Sequence, residues 1–231
     1  MIDINRHRFY LVQILKDIYD DLELSNSLGF KGGTALMFFY QLPRFSVDLD
    51  FNLLKGGDED AVYQKVRKIL LRYGTIFDEA KKHYGPLVVL NYGSHERKLK
   101  VEISNRGFND RYEIKNLLGI NTRVMVEEDM FAHKLCALSD RKTMANRDVF
   151  DTWFFLQRRT SVNREIVETR MGMPLSDYLQ TCIEKLESMT NKGLLHGIGE
   201  LVDDKMKRFV KTKLRSEVIS LLKIYKEFSD D

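Results

Sequence analysis

The spacing of apolar side chains changes character about half-way along the chain. Between residues 8 and 24 they recur with a helical period, Phe9, Val12, Leu15, Ile18, Tyr19 and Leu22 on one side and Lys16, Asp17, Asp20 and Asp21 largely off it, which predicts an amphipathic first helix. Ser25, Asn26 and Ser27 end it. Leu28 to Phe30 then reads as a short strand, Lys31-Gly32-Gly33 as a backbone turn, and Thr34 to Tyr40 as a second helix that Pro43 closes, because proline has no amide hydrogen and restricts the residue before it. From Ser46 to Leu53 the period drops to two, so Asp48 and Asp50 share one face while Val47, Leu49 and Phe51 take the other. Gly56-Gly57-Asp58 opens a loop and Glu59 to Tyr73 returns to helical spacing. Pro86 to Tyr92 and Lys98 to Ser104 read as two further strands, with Glu102 facing away from Leu99, Val101 and Ile103.

After Val126 the strand signal stops. Asp129 is placed to cap a helix running through Leu138, Asn146 to cap another from Arg147 to about Leu156, and helical patterns cover 164–171, 175–189 and most of 200–228, interrupted by Gly193, Gly197 and Gly199. The expected fold class is α+β, close to α/β: a small mixed sheet flanked by helices over residues 1–125, then a helical domain over 126–231.

Composition narrows this picture only slightly. A chain of 231 residues with 43% hydrophobic content can bury the core of one large domain or two smaller ones, and three prolines leave no room for a Pro-rich linker. Cys136 and Cys182 lack the close spacing of a zinc site and sit in apolar helical contexts, so they are expected as reduced core thiols. The amino terminus has no signal-peptide pattern and no later segment is a continuous membrane span, so a cytoplasmic location is expected. A net charge of +3 does not by itself call for a nucleic-acid partner. Residues 81–123 do carry nine Lys or Arg against four Asp or Glu, which suits either a phosphate-facing surface or an ordinary solvated one.

Candidate chemistry concentrates in Lys31-Gly32-Gly33-Thr34-Ala35-Leu36 and Arg44-Phe45-Ser46-Val47-Asp48-Leu49-Asp50-Phe51. Two carboxylates on one strand, joined by a third from a neighbouring strand, suit a Mg²⁺ ion on a nucleoside triphosphate, since this hard cation takes oxygen ligands and keeps water and phosphate oxygens in its shell. Asp48, Asp50 and Glu102 are the expected metal ligands, with Glu96 and Glu113 as alternatives for the third. Gly32 and Gly33, lacking β-carbons, let the backbone approach phosphate at a helix start, where Thr34 adds a hydroxyl donor. Ser46 falls on the face of the two acids, so a negative charge placed there should compete with nucleotide phosphate. Lys134 and Arg141, seven residues apart, lie on nearly one helix face and can reach a triphosphate or simply be solvated. Asp148 and Asp151 stand near a helix start, where the dipole favours acids in any case. Trp153, Phe154 and Phe155 read as core, and His133 as packed or solvated.

The combination Gly32-Gly33-Thr34-Ala35-Leu36, then Arg44, Ser46, Asp48, Asp50 and Phe51, resembles the first motif of the AbiEii-type nucleotidyltransferase toxins, a family that includes the MenT toxins of toxin–antitoxin systems. Lys100-Val101-Glu102-Ile103 is similar to its second motif, and Lys134, Asp140-Arg141 and Arg147-Asp148-Val149-Phe150-Asp151 to its later ones, so the resemblance runs from about Phe30 to Leu156. It implies a nucleotidyltransferase fold, with Asp48 and Asp50 on metal and nucleotide, Gly32, Gly33, Thr34, Arg44 and Ser46 around the nucleotide, Lys134 on its phosphates and Asp148 required for activity. It also implies Mg²⁺-dependent transfer of NMP from an NTP to RNA, the tRNA 3′ acceptor end in particular, by a toxin countered by an antitoxin. Transfer to a small molecule or a protein, and a non-catalytic RNA- or partner-binding module of the same fold, are the competing readings.

Overall fold

A computed structural model describes residues 2–94, 96–140, 144–190 and 192–228. The chain divides into two compact units, Met1–Gly107 with Arg111–Val126, and Glu127–Asp231 with Phe108–Asp110.

The first unit is built on a seven-stranded mixed sheet. Its elements in order are α1 (Ile4–Asp20), α2 (Leu22–Ser27), β1 (Leu28–Lys31), α3 (Gly32–Phe39), β2 (Leu49–Leu53), α4 (Glu59–Leu70), β3 (Thr75–Lys82), β4 (Gly85–Asn91), β5 (Leu99–Ser104), β6 (Tyr112–Leu117) and β7 (Ile120–Met125). The strand order is β3-β4-β5-β2-β1-β7-β6. β2 runs antiparallel to β1 but parallel to β5, and β1 runs parallel to β7. The core strands alternate as their sequences demand: Leu49, Phe51, Leu99, Val101 and Ile103 are buried, as are Leu11, Ile14, Leu15 and Ile18 of α1 and Val62, Val66 and Leu70 of α4.

Several boundaries differ from the expected ones for local reasons. The first amphipathic run is two helices, because Asp21 has extended backbone angles and its side chain accepts the amide hydrogens of Glu23 and Leu24, capping α2. Ser25, Asn26 and Ser27 are helical rather than terminating. β2 begins at Leu49, not Ser46, so Asp48 stands one residue before the ladder. β3, β6 and β7 had no strand signal: β3 is an edge strand that is largely exposed, and β6–β7 is a hairpin whose turn residues Leu118 and Gly119 both have positive φ.

The second unit is helical: α5 (Glu127–Asp140), α6 (Asn146–Gln157), α7 (Arg164–Met171), α8 (Leu175–Ser188), α9 (Asp204–Thr212) and α10 (Leu214–Glu227). Its core collects Phe131, Leu135, Phe150, Phe155, Val167, Tyr178, Leu179, Ile183 and Leu222. Two expected caps are corrected. Asp129 lies inside α5, fully buried, and accepts from Asn163 Nδ2 at 2.8 Å. Asn146 is the first residue of α6, and its side chain donates to the Gly193 and His196 carbonyls, pinning the glycine-rich turns to the helix. Cys136 and Cys182 are buried free thiols, both pushed up to about 12 by burial. Phe154 and Phe155 are core, and the only tryptophan, Trp153, packs on Phe150 and Phe209 while its indole N–H donates to Glu217. Among the described residues no helix is long and apolar enough to cross a membrane.

Candidate active site

Strand register assembles the charged set of the first unit. Asp50 on β2 is directly opposite Lys31 on β1 and Glu102 on β5, so these three side chains stand abreast on one face of three adjacent strands. Lys100, two residues before Glu102 and therefore on the same face, has its Nζ 2.6 Å from Glu102 Oε2. Its backbone N–H reaches Asp48 Oδ1 at 3.4 Å. Of the three acids weighed as partner to the pair, Glu102 is the one beside Asp50. Glu96 is paired with Arg6 at 2.8 Å, and Glu113 accepts from the Tyr40 hydroxyl at 2.9 Å and pairs with Lys115 at 3.0 Å.

Three side chains fix the segment before β2, which has no ladder of its own. The Thr34 hydroxyl, fully buried, donates to the Asp48 carbonyl at 2.5 Å. His7 Nε2 donates to the Val47 carbonyl at 2.8 Å, which leaves Nδ1 to accept from the Tyr92 hydroxyl at 2.5 Å. Arg44 donates to the Phe45 carbonyl at 3.0 Å. Thr34 thus acts on the backbone that carries the acid pair.

The two glycines are required by contact. Gly32 has φ +82°, and a β-carbon on it would meet Asp50 Oδ2 at 2.6 Å. A β-carbon on Gly33 would meet Ser46 Oγ at 2.7 Å and the Arg44 guanidinium at 2.8 Å, and both of those side chains are buried. Gly32, Gly33, Arg44, Ser46 and Asp50, up to 18 positions apart in sequence, therefore form one tight cluster at the start of α3.

Charge in this row is unbalanced. Burial pushes the Asp50 carboxyl above the usual carboxylate range, with Asp48 and Glu102 adding to the rise and Lys100 and Lys31 opposing it. For Glu102, burial is outweighed by the hydrogen bond and charge of Lys100, with Lys31 and Lys82 assisting, and the group is held below its ordinary value. Lys100 shows the converse: burial opposes its charge, but Asp50, Glu102 and Asp48 together hold it above the ordinary lysine value. Lys31 and Lys100 fall within the quoted sequence stretches but have no site role there; their place beside Asp50 becomes visible only through the pairing of β2 with its two neighbours.

Among the described residues no three His, Cys, Asp or Glu side chains form a complete metal-holding set. A metal that takes one or two protein carboxylates and completes its shell with phosphate and water does fit, because its positive charge would relieve the burial and like-charge repulsion that disfavour ionised Asp50.

A second charged set lies in the helical unit. Lys134 Nζ of α5 is 2.7 Å from Asp151 Oδ2 and 3.5 Å from Asp148 Oδ1 of α6. Asp151 is fully buried, and the buried Asp148 Oδ2 has no hydrogen-bond partner among the described residues. Arg141 lies outside the described residues. His133 is neither merely packed nor solvated: Arg170 donates to its Nδ1 at 2.7 Å, so its Nε2–H donates to Asp110 Oδ1 at 2.6 Å, and Arg170 also pairs with Asp140.

With both sets described, the comparisons with known proteins are decisive. The family model for "Nucleotidyl transferase AbiEii toxin, Type IV TA system" matches residues 13–208. The chain belongs to this AbiEii family. It is therefore a nucleotidyltransferase of a type IV toxin–antitoxin system, which implies a cognate antitoxin. Two solved structures share the fold: a "putative nucleotidyltransferase from H. pylori" (TM-score 0.60, 21% identity, 97% of this chain and 95% of that one) and JHP933 from Helicobacter pylori (TM-score 0.56, 21% identity, 98% and 96%). Sequence comparison with curated proteins gives no match.

Proposed function

We propose that this AbiEii-family chain transfers NMP from an NTP to RNA, the tRNA 3′ acceptor end, in a Mg²⁺-dependent reaction carried out in the cytoplasm, and that its antitoxin counters this modification. The observation that carries the reading is the abreast placement of Asp50 and Glu102 with Asp48 one residue before β2, beside a glycine turn where a β-carbon would meet Asp50, Ser46 and Arg44 at under 3 Å. When bound, the metal supplies neutralisation of the polyphosphate and a lower pKa for the attacking hydroxyl. Asp48 and Asp50 would hold it, with Glu102 alongside. Gly32 and Gly33 leave the α3 amides open to phosphate, and Arg44 and Ser46 form the adjoining wall.

The same reaction is proposed to draw on the second unit. Lys134 would contact phosphate, as would Arg141, which lies outside the described residues, and Asp148 Oδ2, without a partner among the described residues, accepts a hydrogen bond from substrate or orients Lys134. RNA is favoured over a cationic small molecule by the pairing of exposed aromatic rings with cations in the first unit: Arg106 lies 4.5 Å over the Tyr84 ring and Lys98 Nζ 4.5 Å over Phe77.

The test incubates purified protein with Mg²⁺, each labelled NTP in turn and total RNA. Label is expected on RNA and is expected to fall on the order of 10³-fold in Asp48→Ala, Asp50→Ala and Lys134→Ala. Label on protein or on small molecules would replace the acceptor, and RNA binding without transfer under any NTP would sink the catalytic reading.

A further inference from the structure

The carboxylate row contains two cations that the proposed chemistry leaves without a task, Lys31 and Lys100, and Lys100 is the one paired directly with an acid of the row. Lys100 shares a face of β5 with Glu102 and gives its ammonium to Glu102 Oε2 at 2.6 Å. The β2–β5 register also sets it beside Asp48, and among the charges acting on Asp50 that of Lys100 comes first. The side chain is 32% exposed, so the ammonium reaches solvent from the row on a flexible four-carbon stem.

An ammonium and a divalent cation draw on the same oxygens. Glu102 offers a metal less negative charge while Lys100 is paired with its Oε2, and two cations drawn to the same carboxylate repel each other. We infer that Lys100 is the displaceable counter-ion of this row: its ammonium leaves Glu102 when a divalent cation is held by Asp48 and Asp50, and turns to the phosphates of the nucleotide. Lys100 is a positioning residue in this role. Metal and nucleotide become coupled through it, because metal alone must displace a lysine that has nowhere better to go, whereas the nucleotide offers that lysine a new anionic partner. The inference rests on the nucleotidyl-transfer reading above and specifies how that site is loaded.

The experiment measures Mn²⁺ binding to the full chain by electron paramagnetic resonance, first with the metal alone and then with each NTP in excess, for wild type, Lys100→Met, Lys100→Arg and Asp50→Asn. In Lys100→Met, Mn²⁺ alone is expected to bind roughly five- to tenfold more tightly, and the gain in Mn²⁺ affinity produced by nucleotide is expected to shrink by a similar factor. Lys100→Arg keeps wild-type coupling. Unchanged or weaker Mn²⁺ binding in Lys100→Met, with binding lost in Asp50→Asn, overturns the counter-ion role while leaving the metal site intact. Tighter Mn²⁺ binding with unchanged nucleotide coupling overturns the transfer of Lys100 to phosphate. Mn²⁺ binding that survives undiminished in Asp50→Asn locates the metal elsewhere and sinks the parent reading and this inference together. Lys100→Gln replaces Lys100→Met if circular dichroism shows the latter misfolded.

Discussion

Charge is handled differently in the two units. In the sheet unit, Asp48, Asp50 and Glu102 are interleaved with Lys31 and Lys100 across three strands, partly open to solvent, and one of the acids resists ionisation. In the helical unit, one lysine stands over two buried carboxylates, close to one and farther from the other. The first arrangement leaves a demand for positive charge that the chain does not meet. The second satisfies most of its demand internally and leaves a single carboxylate oxygen over. A site that costs the fold something is thus paired with one on which the fold depends, and the two should respond to mutation with opposite signs.

The sharpest break of that comparison is Lys134→Met. It strands Asp151, fully buried, and Asp148 without their cation, and is expected to destabilise the helical unit by about 3–5 kcal/mol. Trp153 is the only tryptophan and lies in that unit, so urea unfolding followed by its fluorescence reports the loss directly. A loss under about 1 kcal/mol would mean that this set is as open as the other.

A smaller effect is expected from pH. Burial lowers the pKa of His7 below its ordinary 6.5, so the unfolded chain takes up the proton first and stability falls as pH drops below the mid-sixes, while above that range the contribution is complete. The urea midpoint should fall between pH 7.5 and 5.5 by more in wild type than in His7→Gln. Equal slopes in the two proteins would remove His7 from the account.

Smallest, and opposite in sign, is Asp50→Asn. Removing a carboxylate whose charge is disfavoured by burial and by Asp48 and Glu102 should abolish transfer yet leave the folding stability from urea unfolding unchanged or raised by up to about 1 kcal/mol. A marked loss of stability would show that the row is a structural ion-pair network.

The legible part of this molecule is the part whose period is local. α4, β4, β5, α7 and α8 lie close to where their spacing puts them, because each has a buried face repeating within a few residues. β3 is hidden because Thr75–Lys82, an edge strand exposed on both faces, needs no alternation. The β6–β7 hairpin is hidden because its turn is Leu118-Gly119 rather than one of the pairs that commonly announce a two-residue turn. In the site, the acid pair and the glycines show in sequence because the contacts that need them fall within a span of about twenty residues. Lys100 does not, since its place beside Asp50 comes from the register of β2 with β5, strands about fifty residues apart, and Lys31, though near in sequence, faces Asp50 only through the antiparallel register of β1 with β2. Asp129 and Asn146 read as caps because that is the commonest use of such residues ahead of a helix, and long-range partners took both instead.

The segment from Gln41 to Asp48 has its own consequence. It belongs to no ladder, and the carbonyls just ahead of β2 are tied down by a histidine from α1 and a threonine from α3. Its placement can therefore be loosened by degrees from two remote positions without altering any acid. Selection on the toxin of a toxin–antitoxin pair can use such positions as a dimmer, with alleles at residues 7 and 34 that reduce turnover while every group of the carboxylate row remains in place.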